Sequence, residues 1–245
     1  MNKEKCIVLK HINKNFGEHQ VLKDVNIEVP YGAIYGMLGP SGCGKTTTVK
    51  IIAGISEAND GEVFVLDEKM PNLELMRKVG YMAQSDALYG DLTARQNLEF
   101  FGQLYGIENE NLKFRIEEVI KIVNLYKDLD KPISDFSGGM KRRLSLAMTI
   151  LHEPRVLILD EPTVGIDPLL RKNIWDELYK MTENGVTILV TTHVMDEAEK
   201  CTHLSMMREG KLLATGTPGE IQAKAGAANI EEAFVYFSNM DEEEI

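Results

Sequence analysis

The spacing of apolar residues changes its period along the chain, and each change marks an element. Near the start, CIVLKHIN and VLKDVNIEV alternate apolar with polar positions, the period of two that lets a strand bury one face. A turn at Phe16–Gln20 separates them, so the two runs read as a hairpin. AIYGML, at Ala33–Leu38, is a short apolar strand running straight into a glycine-rich loop, and the TTVKIIAGI that follows reads as a helix. EVFVL (Glu62–Leu66) and VGYMA (Val79–Ala83) return to strand.

Between Leu92 and Leu151 the period lengthens. Leu112, Ile116, Val119, Ile120 and Val123 recur at helical spacing, and so do Leu144, Ala147, Met148 and Leu151. No strand interrupts this stretch, which predicts an inserted helical subdomain. Strands resume at VLILD (Val156–Asp160), VTILVTT (Val186–Thr192) and HLSMM (His203–Met207). Between the first two, a helix carries Leu170, Ile174, Leu178 and Met181 on one face. Strand and helix in alternation predict a parallel sheet covered on both faces. EGKLLATG reads as a late hairpin, and two short helices close the chain, the last carrying Ile230, Ala233, Phe234 and Phe237.

The expected class is therefore α/β: a parallel core sheet, an antiparallel β subdomain and an inserted α-helical subdomain. The β subdomain and core are expected at 1–84 and 156–216, the helical segment at 85–155 and a helical extension at 217–245, all one domain. A chain of 245 residues with 44% hydrophobic content has the core for it.

Charge and cysteine usage narrow the partners. A formal net charge of −11 argues against nucleic acid, because phosphate backbones select a basic footprint. No apolar run approaches the roughly 20 residues that cross a bilayer, and the opening MNKEKCIVLKHINKN holds no apolar stretch of signal-peptide length. The expected place is the cytosol, unless a partner holds the chain at a membrane. Cys6, Cys43 and Cys201 are widely spaced and read as free thiols, not as a disulfide framework. The acidic run Asp241, Glu242, Glu243 and Glu244 reads as a solvated end.

The strongest chemical signal is Gly39-Pro40-Ser41-Gly42-Cys43-Gly44-Lys45-Thr46, which fits GxxxxGK[ST] between an apolar strand and a helix. Glycines let successive backbone N–H groups face inward onto phosphate oxygens, and the helix adds its N-terminal dipole. Lys45 supplies a point charge for the β- and γ-phosphates, and the Thr46 hydroxyl is suited to Mg²⁺, with Thr47 beside it. The loop alone does not separate kinases, GTPases and ATPases.

Val156–Leu159 ends in Asp160 and Glu161, and the carboxyl end of a parallel strand is where an α/β sheet places its ligand. Asp160 is suited to hold Mg²⁺, and Glu161 to polarise a water attacking the γ-phosphate. Taken alone, the pair reads equally as charge at a helix N-terminus. Downstream of the helical stretch, Phe136-Ser137-Gly138-Gly139-Met140-Lys141 leads into a helix and offers a second anion-binding end.

This last run resembles the signature sequence of ATP-binding-cassette (ABC) ATPases, with Phe136 and Met140 where Leu and Gln are more usual. Other elements follow in that family's order, from about residue 6 to residue 238. Gln84 resembles the Q-loop glutamine, which senses Mg²⁺ and the attacking water; Gly165-Ile166-Asp167 resembles the D-loop at the dimer interface. His193 resembles the H-loop histidine that contacts the γ-phosphate, and Phe16 sits where an aromatic stacks on adenine, although an aromatic beside a hairpin is equally at home in a core. The run Lys141-Arg142-Arg143 is expected to be a solvated face of the signature helix. His11, His19, His152 and His203 carry no motif.

The resemblance implies a P-loop NTPase core, ATP and Mg²⁺ as cofactors, and two protomers, identical or related, facing head to tail over two nucleotides. Lys45, Thr46, Gln84, Asp160, Glu161 and His193 would come from one protomer and Ser137, Gly138 and Gly139 from the other. It also implies a separate transmembrane permease subunit, with the chain peripheral on the inner face of the membrane. SDALYGDLTARQNLEFFGQLYGI, after Gln84, would receive a coupling helix of that subunit at Leu88 and Tyr89, residues that plain core packing would also explain. LYGDLTARQNLEFFGQLYGI, SGGMKRR and ANIEEAF look like bacterial exporters of drugs, sodium, lipids or polysaccharides. An importer ATPase, or a soluble ABC ATPase outside transport, is the alternative.

Overall fold

A computed structural model of the chain describes residues 4–243. In chain order its elements begin with β1 (Lys5–Phe16), β2 (His19–Pro30), β3 (Ile34–Leu38), α1 (Lys45–Ile52), β4 (Asp60–Val65), β5 (Glu68–Lys69) and β6 (Val79–Met82). Then come α2 (Ala94–Leu104), α3 (Asn109–Ile122), α4 (Gly138–Ile150), β7 (Val156–Asp160), α5 (Pro168–Glu183) and β8 (Thr187–Thr192). The chain closes with α6 (Met195–Ala198), β9 (His203–Arg208), β10 (Lys211–Gly216), α7 (Pro218–Ala225) and α8 (Ile230–Glu243).

Packing gathers these elements into two compact units: one runs to Leu73 and resumes at Thr187, and the other is Glu74–Val186. The division expected from the sequence sorted the chain by element type, with the helical segment at 85–155. Packing instead places β6 and β7 with the helices.

In the first unit, β1 and β2 form the expected antiparallel hairpin, and the sheet continues in the order β2-β1-β4-β5. Its alternation is real: Ile7, Leu9 and Ile12 of β1 and Leu22, Val25, Ile27 and Val29 of β2 are buried. The ladder shifts register between Leu9 and Ile12, where His11 takes a positive φ of 53°. The unit's second set of strands is parallel at its centre, with β3 between β8 and β9, and β10 pairs antiparallel with β9 as the late hairpin. Every residue of β3 and β8 is buried, as a strand covered on both faces demands. Leu38, Ala198, Leu204, Met206, Ile221, Ile230 and Ala233 form a core under the closing helices, with Phe234 and Phe237 packed against it. Glu244 lies outside the described residues, as do the side chains of Asp241, Glu242 and Glu243.

In the second unit β6 and β7 are parallel neighbours. Leu112, Ile116, Val119, Ile120 and Val123 are buried as their spacing predicts, and so are Leu144, Ala147, Met148 and Leu151. α5 buries Leu170, Ile174 and Leu178 together with Trp175; Met181 is half-buried. Thr93 and Gln96 close a capping box at the start of α2, which satisfies two otherwise orphaned N–H groups. Parallel strands, a separate antiparallel sheet and packed helices make the fold α/β. Among the described residues no helix is long and apolar enough to cross a membrane.

Candidate functional site

The glycine-rich loop in the first unit is built by its neighbours' backbones. Gly39 donates its N–H to the Thr192 carbonyl at 3.3 Å, tying the loop to the end of β8. A Cβ on Gly39 would stand 2.2 Å from the Met207 carbonyl oxygen, so only glycine fits. Gly44, in the left-handed region, is the N-cap of α1, and no side chain caps that helix. The first-turn N–H groups, which no helix can satisfy internally, therefore await an outside acceptor, the arrangement an anion requires.

Lys45 is buried, and its Nζ donates to the carbonyls of Gly39 at 2.7 Å and Pro40 at 2.9 Å. Pro40, Ser41 and Gly42 are exposed, and Thr46 and Thr47 half-buried. The Cys43 thiol is buried 3.9 Å from Lys45 Nζ; burial pushes its pKa up, and the Lys45 charge pulls the other way. All three cysteines are buried free thiols, as expected.

His193 follows β8 and is exposed. Its backbone sits on a fixed turn, since the Thr192 hydroxyl donates to Glu197 Oε2 at 2.7 Å and accepts from the Val194 N–H at 3.0 Å. Phe16, which the sequence left between core and ligand surface, is 57% exposed at the end of β1. Lys14 Nζ lies 5.1 Å from its ring centroid. It is not a core aromatic.

In the second unit, Asp160 ends β7 fully buried and Glu161 follows half-buried. Glu161 has a φ of 52°, left-handed backbone that costs a non-glycine residue about 1 kcal/mol. Gln84 lies exposed just beyond β6. Tyr81, on β6, has its hydroxyl buried with no hydrogen-bond partner. Its pKa is pushed up to about 12 by burial and then by the Asp160 charge.

Arg142 overturns one expectation. Its run was read as a solvated helix face, yet Arg142 is 6% exposed. Its Nη1 donates to the carbonyls of Ala83 at 2.6 Å and Gln84 at 3.1 Å, and its Nη2 to those of Asp160 and of Glu161, the latter at 2.9 Å. Burial lowers the guanidinium pKa, opposed by the charges of Asp86, Asp160 and Glu161. Arg143 is half-buried as well, with Nη1 donating to the Val123 and Asn124 carbonyls at 3.1 and 3.0 Å. A guanidinium fork carries enough donors to satisfy several strand- and helix-end carbonyls at once, which is why these cations turn inward.

Ser145, one turn along α4, donates its hydroxyl to Asp86 Oδ1 at 2.9 Å. Arg142 and Asp86 thus escaped the sequence reading. The available signal was polar Arg142, Ser145 and Thr149 recurring at helical spacing on a helix whose later turns, from Leu144 to Ile150, are otherwise apolar.

Ser137 is the N-cap of α4, its Oγ accepting from the Met140 N–H at 3.3 Å; Ser137 and Gly138 are exposed and Gly139 half-buried. A Cβ on Gly139 would stand 3.0 Å from the Gly165 carbonyl, so the signature-like and D-loop-like segments lie against each other. Asp167 caps α5 through its Oδ1, which accepts from the Leu170 N–H at 3.0 Å. Leu88 is half-buried and Tyr89 is 49% exposed. The Tyr89 ring meets Phe100 edge-on at 5.1 Å, and buried Asn97 bonds both the N–H and the carbonyl of Tyr89.

Among the described residues no group of three or more His, Cys, Asp or Glu could hold a metal ion.

Known proteins carry the same pattern. A protein-family model described as "ABC transporter" matches residues 22–164. The chain is 41% identical over 231 residues to the probable multidrug ABC transporter ATP-binding protein YbhF of Escherichia coli (strain K12), covering 94% of this chain but only 40% of that protein. It is 36% identical over 216 residues to the Nod factor export ATP-binding protein I of Cupriavidus metallidurans, covering 87% of this chain and 71% of that one. Among solved structures, an ATP-binding subunit of an ABC transporter superposes with a TM-score of 0.88 at 26% identity, covering 95% of this chain and 99% of that one. A dimeric post-hydrolysis cassette bound to ADP and Pi gives 0.80 at 27% identity, covering 86% and 98%.

Proposed function

The chain belongs to the ABC transporter family as an ATP-binding cassette, and from that premise we propose that it hydrolyses ATP to drive export through a separate membrane subunit. The observation that carries this is the uncapped N-terminus of α1 beneath Gly39–Thr46, with the Lys45 ammonium buried against the loop. That cradle offers N–H groups and one cation, a combination suited to a polyphosphate.

Lys45 would neutralise the β- and γ-phosphates, Thr46 and Asp160 would hold Mg²⁺ with Gln84 beside it, and His193 would donate to the γ-phosphate. The chemistry Mg²⁺ would supply, when held there, is to withdraw charge from the phosphoryl oxygens. Glu161 accepts a proton from water as the water oxygen bonds to the γ-phosphorus, and the bond from that phosphorus to the β–γ bridging oxygen breaks. ADP and inorganic phosphate leave. The exposed ring of Phe16 supplies a stacking face for the adenine.

Ser137, Gly138 and Gly139 complete the phosphate contacts of a second protomer, with Asp167 at the seam. The exposure of Ser137, Gly138 and Asp167 and the dimeric relative support this reading. ATP then binds the closed dimer better than the open one, and hydrolysis releases it. The membrane subunit docks at Leu88 and Tyr89, which holds the chain at the inner face of the membrane. Export is favoured over import by relatives named for multidrug transport and Nod factor export. The net charge of −11 leaves nucleic acid without an electrostatic claim on the surface.

The deciding measurement is phosphate release by the purified chain with Mg²⁺-ATP, against a Glu161→Gln variant. Turnover that rises faster than linearly with protein concentration supports the dimeric ATPase. Equal rates in the two proteins overturn it.

A further inference from the structure

Glu161 holds its carboxylate from a left-handed backbone, φ 52°, where a side chain with a Cβ is strained. Such a conformation persists only when its surroundings over-determine it. Its carbonyl accepts from Arg142 Nη2 at 2.9 Å and from the Val164 N–H at 3.4 Å. The same nitrogen also donates to the carbonyl of Asp160, and Nη1 to those of Ala83 and Gln84. One buried cation therefore grips both ends from which Glu161, Asp160 and Gln84 project.

Arg142 sits on α4, one turn in from Ser137, and Ser145 on the next turn bonds Asp86. The helix that begins at Ser137 is thus fastened by three bonds to the segment after β6 and by two to the end of β7. Its rear half does not yield, because Leu144 through Ile150 are all buried. Ser137 and Arg142 therefore share the front turns of one helix.

We propose that Arg142 is a positioning residue for Glu161: its guanidinium fixes the left-handed turn that aims the carboxylate, and it couples that aim to the N-terminal end of α4. The proposal rests on the ATPase reading and names what sets the aim of its general base. Each bond runs from a charged donor to a carbonyl, the stronger class of hydrogen bond. A lysine keeps the charge but lacks the planar fork, and cannot hold four oxygens in two segments.

The test is a double-mutant cycle in ATP turnover with Arg142→Lys, Arg142→Gln, Glu161→Gln and the combination of Arg142→Lys with Glu161→Gln. Binding of a fluorescent ATP analogue and thermal melting accompany it. The single Arg142 variants are expected to lose 30-fold or more in kcat while analogue affinity stays within threefold. In the Glu161→Gln background, Arg142→Lys is expected to change the residual rate less than threefold, because the carboxylate it positions is gone.

Wild-type kcat in Arg142→Lys overturns the proposal. So do parallel losses of kcat and affinity, an equal loss in the Glu161→Gln background, or failure of both single variants to fold, each of which makes Arg142 a support of the fold at large. Failure of the ATPase reading looks different: the wild-type chain then shows no turnover, or Glu161→Gln matches it.

Discussion

Lys45 Nζ donates at 2.7 Å to the carbonyl oxygen of Gly39, the first residue of its own loop. The cation we assign to the phosphates thus also closes its own loop. Lys45→Ala removes both roles. ATP affinity is expected to fall by about 2–3 kcal/mol, the range for bonds to a charged group, and turnover to vanish. Equilibrium binding and phosphate release check this; wild-type values in both would dismiss the phosphate-loop assignment.

Phe16→Ala isolates stacking from folding, because the ring is exposed. Nucleotide affinity should weaken by roughly 1–3 kcal/mol, the value of a base–aromatic stack, with the melting temperature unchanged. Affinity equal to wild type removes Phe16 from the site.

Glu161→Gln leaves Asp160 untouched, so binding is expected to survive while hydrolysis falls by about 10²–10⁴-fold, the usual contribution of a positioned base. Saturating ATP should then hold the variant as a dimer of doubled mass in size exclusion, and ADP should not. Adding Ser137→Arg should abolish that dimer, since Ser137 is exposed at the tip of α4. A variant that stays monomeric in ATP rules out the shared site.

Leu88→Asp or Tyr89→Asp should release the chain from membranes that contain its permease without unfolding it. Asn97 holds the Tyr89 backbone by its N–H and carbonyl, whichever side chain stands there. Fractionation and melting curves together check this; variants that stay bound move the docking groove elsewhere.

His152 stacks flat on Tyr105 at 3.8 Å, and burial lowers its pKa from the ordinary histidine value of 6.5. The unfolded chain therefore takes up this proton at a higher pH than the folded one. Stability is unaffected by it well above pH 6.5 and is lost as pH falls below that value. His152→Phe should flatten the decline in melting temperature between about pH 7.5 and 5.5, relative to wild type. An unchanged slope would show that His152 does not drive it.

What the sequence disclosed is what lies contiguous along it. Gly39–Thr46 and the strand ends at Asp160 and Thr192 are short runs whose period and chemistry are local. The apolar spacing of Leu112–Val123 likewise foretold a buried helix face. Arg142 was misread because its partners are main-chain oxygens as far as 59 positions away, and no side-chain pattern announces a carbonyl acceptor. The grouping of β6 and β7 with the helices was hidden for a related reason: period tells what an element is, not which neighbour it packs against. Phe16 stayed ambiguous until its place at the end of a hairpin decided its exposure.

All four acceptors of Arg142 are carbonyl oxygens of the main chain, and every amino acid has one. The grip is therefore blind to spelling at positions 83, 84, 160 and 161. Mutational drift at Ala83 can proceed beneath it unnoticed, and the letters at the other three positions answer only to their own chemistry. Position 142 has no such latitude, because no other side chain brings a planar fork of donors. Under saturation mutagenesis the cost should fall on the residue that holds, and at Ala83 hardly at all on the residue held.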